Sequence, residues 1–186
     1  KFEGNALDTS GQGNDGMWGG TEQYTSGVFG GQAGYFDGSS HVEKIDASLP
    51  TSLTGQYADD GWTINAWVKM ENTATIGDWA VVAGFGDYSS PGAGGLCIHG
   101  PGGYISYSSL PPWGFSDTQY PTNEWVMVTV AMRWSQAKVY ANGQLILEPG
   151  WANPSDVVNT HVFAGGPAFW SSERFKGAID EFTIWD

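Results

Sequence analysis

Cysteine is nearly missing from this chain of 186 residues: Cys97 stands alone, so no internal disulfide can form. It sits in the apolar run Leu96-Cys97-Ile98, where a free thiol packs as a small hydrophobe, so an inert buried thiol is expected there rather than a nucleophile. Basic residues are scarce too, with 7 Lys and Arg against 20 Asp and Glu and a formal net charge of −13. Such a chain repels phosphate backbones and anionic lipid, which argues against nucleic acid and membrane as partners and favours cations. No apolar run approaches the ~18 residues of a membrane-spanning helix, and the opening residues lack the pattern of a secretory leader. Asn-x-Ser/Thr sites with a residue other than proline at x are absent, so no glycosylation acceptor is offered. His41, His99 and His161 lie far apart in sequence, with no pair at zinc-ligand spacing. Ser10, Ser39 and Ser40 lack the context of a nucleophile elbow.

Helical periodicity is equally hard to find. What is present are short segments, alternating or continuous in β-branched and aromatic residues and bounded by Gly, Pro, Asn and Asp. The 28 glycines fall at turn positions without a repeating period, which excludes a fibrous chain. Strands are expected near 15–18, 33–37, 41–45, 62–71, 79–85, 95–99, 103–107, 124–133, 136–141, 144–148, 160–165 and 177–185. Trp62-Thr63-Ile64-Asn65-Ala66-Trp67-Val68-Lys69-Met70 places Trp, Ile, Ala, Val and Met on one face and Thr, Asn, Trp and Lys on a partly wet one. Asn142-Gly143 marks a hairpin with a type I′ turn, since both of its central residues need positive φ. Many short strands without helices imply one all-β domain over residues 1–186, a two-sheet antiparallel β-sandwich or jelly roll. The chain is expected to begin inside a strand and to end on one, as a module of a longer protein does.

Long connections are expected at 46–61, 86–94, 108–123, 148–159 and 166–175, and they hold Tyr88, Trp113, Phe115, Tyr120, Trp151, Phe169 and Trp170. Aromatic rings with a few placed polar groups suit the C–H faces and hydroxyls of sugars. Trp79, Tyr88, Trp113, Trp151 and Trp170 are therefore candidate glycan contacts, with Arg133 and Arg174 as clamps for acidic sugars. Trp62, Trp67, Trp125 and Trp185 fall in strands and are expected to serve core or sheet-face packing. A separate feature is Asp8-Thr9-Ser10-Gly11-Gln12-Gly13-Asn14-Asp15-Gly16, a Gly-rich loop of carboxylate, hydroxyl and amide oxygens that suits either Ca²⁺ or a plain Asx-type turn.

Several segments together resemble a laminin-G-like, concanavalin A-like jelly roll of bacterial secreted proteins. They are Phe2-Glu3-Gly4, the Asp8–Gly16 loop, Ala33-Gly34-Tyr35-Phe36-Asp37-Gly38, Trp62 to Lys69, Glu124 to Val130, Lys138 to Gly143, and Phe175 to Trp185, in family order over nearly the whole chain. The resemblance implies a structural Ca²⁺ near the paired first and last strands, with Asp180, Asp8 and Asn14 as ligands and Glu3 a further candidate. It also implies a non-catalytic, lectin-like module that binds a polysaccharide or glycan. Such a module would be secreted or cell-surface and tethered to other domains of a polysaccharide-processing protein. An adhesion or protein-interaction domain is the alternative, and a lyase or hydrolase a third. Laminarinase-type hydrolases of this fold carry a Glu-x-Asp-x-x-Glu strand, whose two catalytic carboxylates work at the short retaining separation; no such triplet occurs here. Asp180 and Glu181 are adjacent and are expected on opposite faces. Cys97-Ile98-His99 resembles the Gln-Ile-His strand of alginate lyases only without its Gln.

Overall fold

The computed structural model describes residues 1–45, 47, 61–71, 79–86, 94–99, 103–108, 114–133, 136–148, 161–168 and 174–185; the side chains of Trp79, residues 94–99, 107–108, 114–115 and 117 fall outside it. The described strands, in chain order, are β1 (Met17–Gly19), β2 (Tyr24–Ser26), β3 (Gln32–Asp37), β4 (His41–Lys44), β5 (Trp62–Met70), β6 (Trp79–Phe85), β7 (Gly94–His99), β8 (Tyr104–Ser108), β9 (Gly114–Gln119), β10 (Val126–Arg133), β11 (Gln136–Ala141), β12 (Gln144–Leu147), β13 (Val162–Ala164) and β14 (Lys176–Trp185). They form two 7-stranded sheets, one ordered β1-β4-β13-β6-β7-β8-β9 and the other β12-β11-β10-β5-β14-β3-β2. The chain crosses between sheets rather than finishing one first, as a jelly roll does.

The core lies between the sheets because the strands alternate. In β5, Trp62, Ile64, Ala66, Val68 and Met70 are buried while the residues between them are half-exposed; β10 repeats the pattern with Val126, Val128, Val130 and Met132. These strands pair antiparallel with Val128 opposite Ala66 and Val130 opposite Ile64, so their inward sets meet the facing sheet's Val82 and Phe85 as one cluster. Each such side chain contributes about 1.5–3 kcal/mol by leaving water.

Two strands lie outside the expected set. Tyr24–Ser26 pairs with β3 as the outer strand β2, and Gly114–Gln119 pairs with β8 as β9, inside the span 108–123. Both are polar or Gly-containing and were hidden by the lack of an apolar stripe. Tyr120, a loop aromatic in sequence, folds back into the core at 3% exposure, and its hydroxyl donates to the Val68 carbonyl at 2.6 Å. That burial pushes the phenol well above the ordinary tyrosine range. The opening residues are not a strand either: the first strand begins at Met17. Phe2 instead plugs the end of the core, with ring centroids 6.2 Å from Trp18 and 5.9 Å from Phe36.

The Asn142-Gly143 hairpin joins β11 to β12 with φ of 49° and 78°, as a type I′ turn requires. A different departure occurs in β14. Its register with β5 shifts between Asp180 and Thr183, and Glu181 takes a φ of 48°, a conformation that L-residues with side chains rarely adopt. This bulge breaks strand alternation where the two adjacent acids stand.

Candidate functional site

The outward face of the second sheet is built by the half of each alternation that the core does not use. Thr63, Asn65, Trp67 and Lys69 point outward from β5, and Met127, Thr129 and Ala131 from β10. Pairing sets them in rows. Thr183 lies opposite Asn65, Asn65 opposite Thr129, and Thr129 opposite Tyr140. In the next row Trp185 lies opposite Thr63 and Thr63 opposite Ala131; beyond the first, Asp180 lies opposite Trp67 and Trp67 opposite Met127.

Hydrogen bonds fix the rows. The Thr129 hydroxyl donates to Asn65 Oδ1 at 2.6 Å, which orients the amide, and the Trp185 indole N–H donates to Thr183 Oγ1 at 3.0 Å, which lays the ring along its own strand. Trp185 is 62% exposed. The expectation that it serves packing is therefore corrected: its outward neighbours are Thr and Ala, too small to cover an indole. Trp62, by contrast, is core, meeting Phe85 at 4.8 Å. Trp67 is half-buried and contacts Phe29 at 5.6 Å with the rings at 82°, and Phe29 is itself 72% exposed at the turn between β2 and β3.

That turn is clasped from two sides. Glu3 Oε2 accepts the Gln32 amide N–H at 2.9 Å, and Asp180 Oδ2 accepts that of Val28 at 3.1 Å. Asp180 is 2% exposed and its second oxygen takes the Glu181 N–H at 2.8 Å. The two carboxylates lie close over Gly27 and Gly31: a Cβ at Gly27 would stand 2.7 Å from the Asp180 carboxylate and one at Gly31 2.3 Å from that of Glu3, so a side chain at either would displace the acid from the turn. The Lys1 ammonium meets Glu181 at 3.1 Å. Its pKa is raised, first by the Glu181 hydrogen bond and its charge, with Glu3 and Asp180 adding to it. Glu181 thus pairs with the Lys1 ammonium while Asp180 serves the turn, and the bulge between them breaks the alternation on which the opposite-face expectation rests.

Asp8 and Asn14 meet elsewhere, within their own loop. The Asp8 carboxylate accepts the Ser10 N–H and hydroxyl, both at 2.8 Å, and the Asn14 N–H at 3.0 Å. Burial alone would raise this acid, yet those hydrogen bonds outweigh it and hold the pKa below the usual carboxylate range. Among the described residues no group of three or more His, Cys, Asp or Glu side chains is placed to hold a metal, so the four metal candidates divide into two separate pairs. Glu3 and Asp180 are hard-oxygen ligands of the type Ca²⁺ takes, and both carboxylates flank the 27–31 turn, where both Asp180 oxygens already accept backbone N–H groups. The Asp8 carboxylate already accepts three N–H or O–H donors.

Trp79 begins β6, and Tyr88, Trp113, Trp151 and Trp170 lie outside the described residues. Arg133 ends β10 and is exposed. Arg174 turns its guanidinium inward, donating to the carbonyls of Ser39 and, at 3.0 Å, Ala168, and meeting His41 Nδ1 at 2.6 Å. It joins Ala168 to the start of β4. His41 is held below the ordinary histidine range, by burial first and then by the Arg174 charge, with Glu43 opposing. The sheet-face residues that sequence reasoning passed over, Trp67 and Trp185, had one signal: a tryptophan on the wet side of an alternating strand.

A family model described as the concanavalin A-like lectin/glucanases superfamily matches residues 36–186, and the chain belongs to that superfamily, in laminin-G-like form. A search of curated proteins returned no match. Among solved structures it is similar to domain 4 of AbnA, a GH43 extracellular arabinanase from Geobacillus stearothermophilus, solved in complex with arabinotriose; TM-score is 0.73 at 24% identity, over 98% of this chain and 87% of that one. It is also similar to the carbohydrate binding module CBM66 from Bacillus subtilis, with TM-score 0.55 at 10% identity over 91% and 95% of the two chains. The botulinum neurotoxin serotype C1 binding domain matches with TM-score 0.70 at 14% identity over 98% of this chain, which spans 46% of that domain. At these identities the likeness establishes the fold, a concanavalin A-like β-sandwich.

Proposed function

We propose that this chain is a non-catalytic, lectin-like carbohydrate-binding module of a secreted or cell-surface protein, tethered to polysaccharide-processing domains. The observation that carries the reading is the outward face of the second sheet, where exposed Trp185 and half-buried Trp67 flank a hydrogen-bonded Asn65–Thr129 pair. Rings that stack on sugar C–H faces, beside oriented amide and hydroxyl groups, are what a glycan site requires. The similarity to CBM66 and to an arabinanase domain solved with arabinotriose supports it. Trp79 at the start of β6, Tyr88, Trp113, Trp151 and Trp170 in expected loops, and Arg133 and Arg174 are the competing candidates for the same activity.

A structural Ca²⁺ belongs to this reading, held by Asp180 and Glu3 where the 27–31 turn meets β14. Bound there, the ion would supply a cross-link between distant parts of the chain and so stabilise a fold that has no disulfide.

A glycan array of plant, algal and microbial polysaccharides, read together with a reducing-end assay, tests the function. Binding without release of reducing ends is the expected result. Release of reducing ends would make the chain an enzyme. Silence across the array would discard the reading and favour an adhesion domain with a protein partner.

A further inference from the structure

We infer that, given a carbohydrate-binding function as proposed above, the ligand is an uncharged, linear oligosaccharide laid along β5 and β14 between Trp185 and the Trp67–Phe29 pair. The geometry sets both its extent and its chemistry. Trp185 stands opposite Thr63, and Trp67 is four residues farther along the same strand, a separation of about 13 Å at a strand rise of roughly 3.3 Å per residue. That distance suits several linked sugar units rather than one. Aromatic rings occupy the two ends, while Thr183, Asn65 and Thr129 fill the row between. The ends therefore supply stacking and the middle supplies hydrogen bonds.

The strip is also preorganised. The Trp185 indole is tied to Thr183, and the Asn65 amide is turned by Thr129, so little side-chain freedom remains to be lost on binding. Phe29 meets Trp67 near perpendicular rather than lying flat over it. The strip residues Thr63, Asn65, Trp67, Thr129, Thr183 and Trp185 include no acid and no base. A uronate or sulfated chain would find no cation within this strip, which has Asp180 opposite Trp67, and would approach a molecule of net charge −13; the bases of the same outward face, Lys69, Arg133 and Lys138, border the strip, with Lys138 paired to Glu148. A neutral chain meets none of these penalties.

Calorimetric titration of the whole chain with linear cello-, xylo-, manno- and arabino-oligosaccharides of increasing length, beside polygalacturonate and alginate, tests this. At least one neutral series is expected to bind, more tightly as it lengthens, with affinity unchanged from low to high salt. Trp185→Ala and Trp67→Ala should each weaken it by about tenfold or more, the scale of a lost stacking contact of ~1–3 kcal/mol. Trp185→Tyr, which keeps a ring, should recover most of it, and unchanged unfolding of Trp185→Ala would show that the fold is intact. Full binding by both alanine variants, with loss in Trp113→Ala or Trp151→Ala, would overturn the location and leave the carbohydrate function standing. Binding of the acidic polymers alone, weakened by salt, would overturn the neutral class. No binding of any saccharide would discard the function, and the inference with it.

Discussion

The Asp180 carboxylate accepts the Val28 amide hydrogen at 3.1 Å and so joins residues 152 positions apart in the chain. The donor belongs to the turn between β2 and β3, and the acceptor stands at the bulge of β14, with almost no access to water. Replacing Asp180 with Ala strands two backbone N–H groups, and each hydrogen bond to a charged group is worth about 1.5–3 kcal/mol. Urea unfolding of Asp180→Ala should therefore show a loss of several kcal/mol. Asp180→Asn, which keeps an acceptor oxygen, should lose clearly less. Equal stability of Asp180→Ala and the parent would contradict this account of the turn.

Calcium gives the same residues a second readout. A ligand held only by the folded state stabilises it by about 2.7 kcal/mol at a concentration 100-fold above its Kd. Thermal unfolding should thus shift upward with Ca²⁺ and downward with chelator, and Asp180→Asn or Glu3→Gln should abolish the shift while Asp8→Asn retains it. A chelator-insensitive Tm in protein freed of metal by unfolding and refolding would remove the ion from the account.

Tyr120 carries a prediction independent of any ligand. Its hydroxyl donates to the Val68 carbonyl at 2.6 Å and lies 3.3 Å from that of Val126, binding the segment after β9 to the central strands β5 and β10. Tyr120→Phe should cost about 1–3 kcal/mol, since it leaves a buried carbonyl without its donor. A change below that range in equilibrium unfolding would mean that the carbonyl finds another donor.

Acid should act in two stages with known signs. His41 has a folded pKa below 6.5, so the unfolded chain takes up the proton more readily and stability falls as pH drops below about 6.5. Asp37 is lowered to about 2 from 3.8; burial opposes this, but hydrogen bonds from Ser39 and Ser40 outweigh it. Its contribution is complete above pH 3.8 and is lost as pH falls toward about 2. His41→Gln should flatten the first stage of a stability–pH profile, and Asp37→Asn the second.

The fold was legible wherever one side of a strand is dry. The alternation of β5, the apolar β10 and the Asn142-Gly143 turn all announced themselves, because core burial and positive φ restrict residue type. β2 and β9 did not, since outer or polar strands owe their pairing to neighbours rather than to composition. The bulge at Glu181 was equally hidden: an acid in a left-handed conformation has no sequence signature, yet it breaks the alternation where two carboxylates stand side by side. The site was legible in kind but not in place. Loop tryptophans drew attention because loops seldom need them, whereas Trp67 and Trp185 passed as packing residues until strand pairing set both outward, Trp185 beside small neighbours and Trp67 against Phe29.

Native electrophoresis through gels carrying neutral polysaccharides tests the carbohydrate-binding claim most directly, because retardation requires only that the folded chain bind the embedded polymer. Retardation by at least one neutral polysaccharide is expected, reversed by adding its soluble oligosaccharide and lost in the Trp185→Ala, Trp67→Ala double variant. Migration identical to that in a polymer-free gel, for every polysaccharide, would contradict the carbohydrate-binding claim.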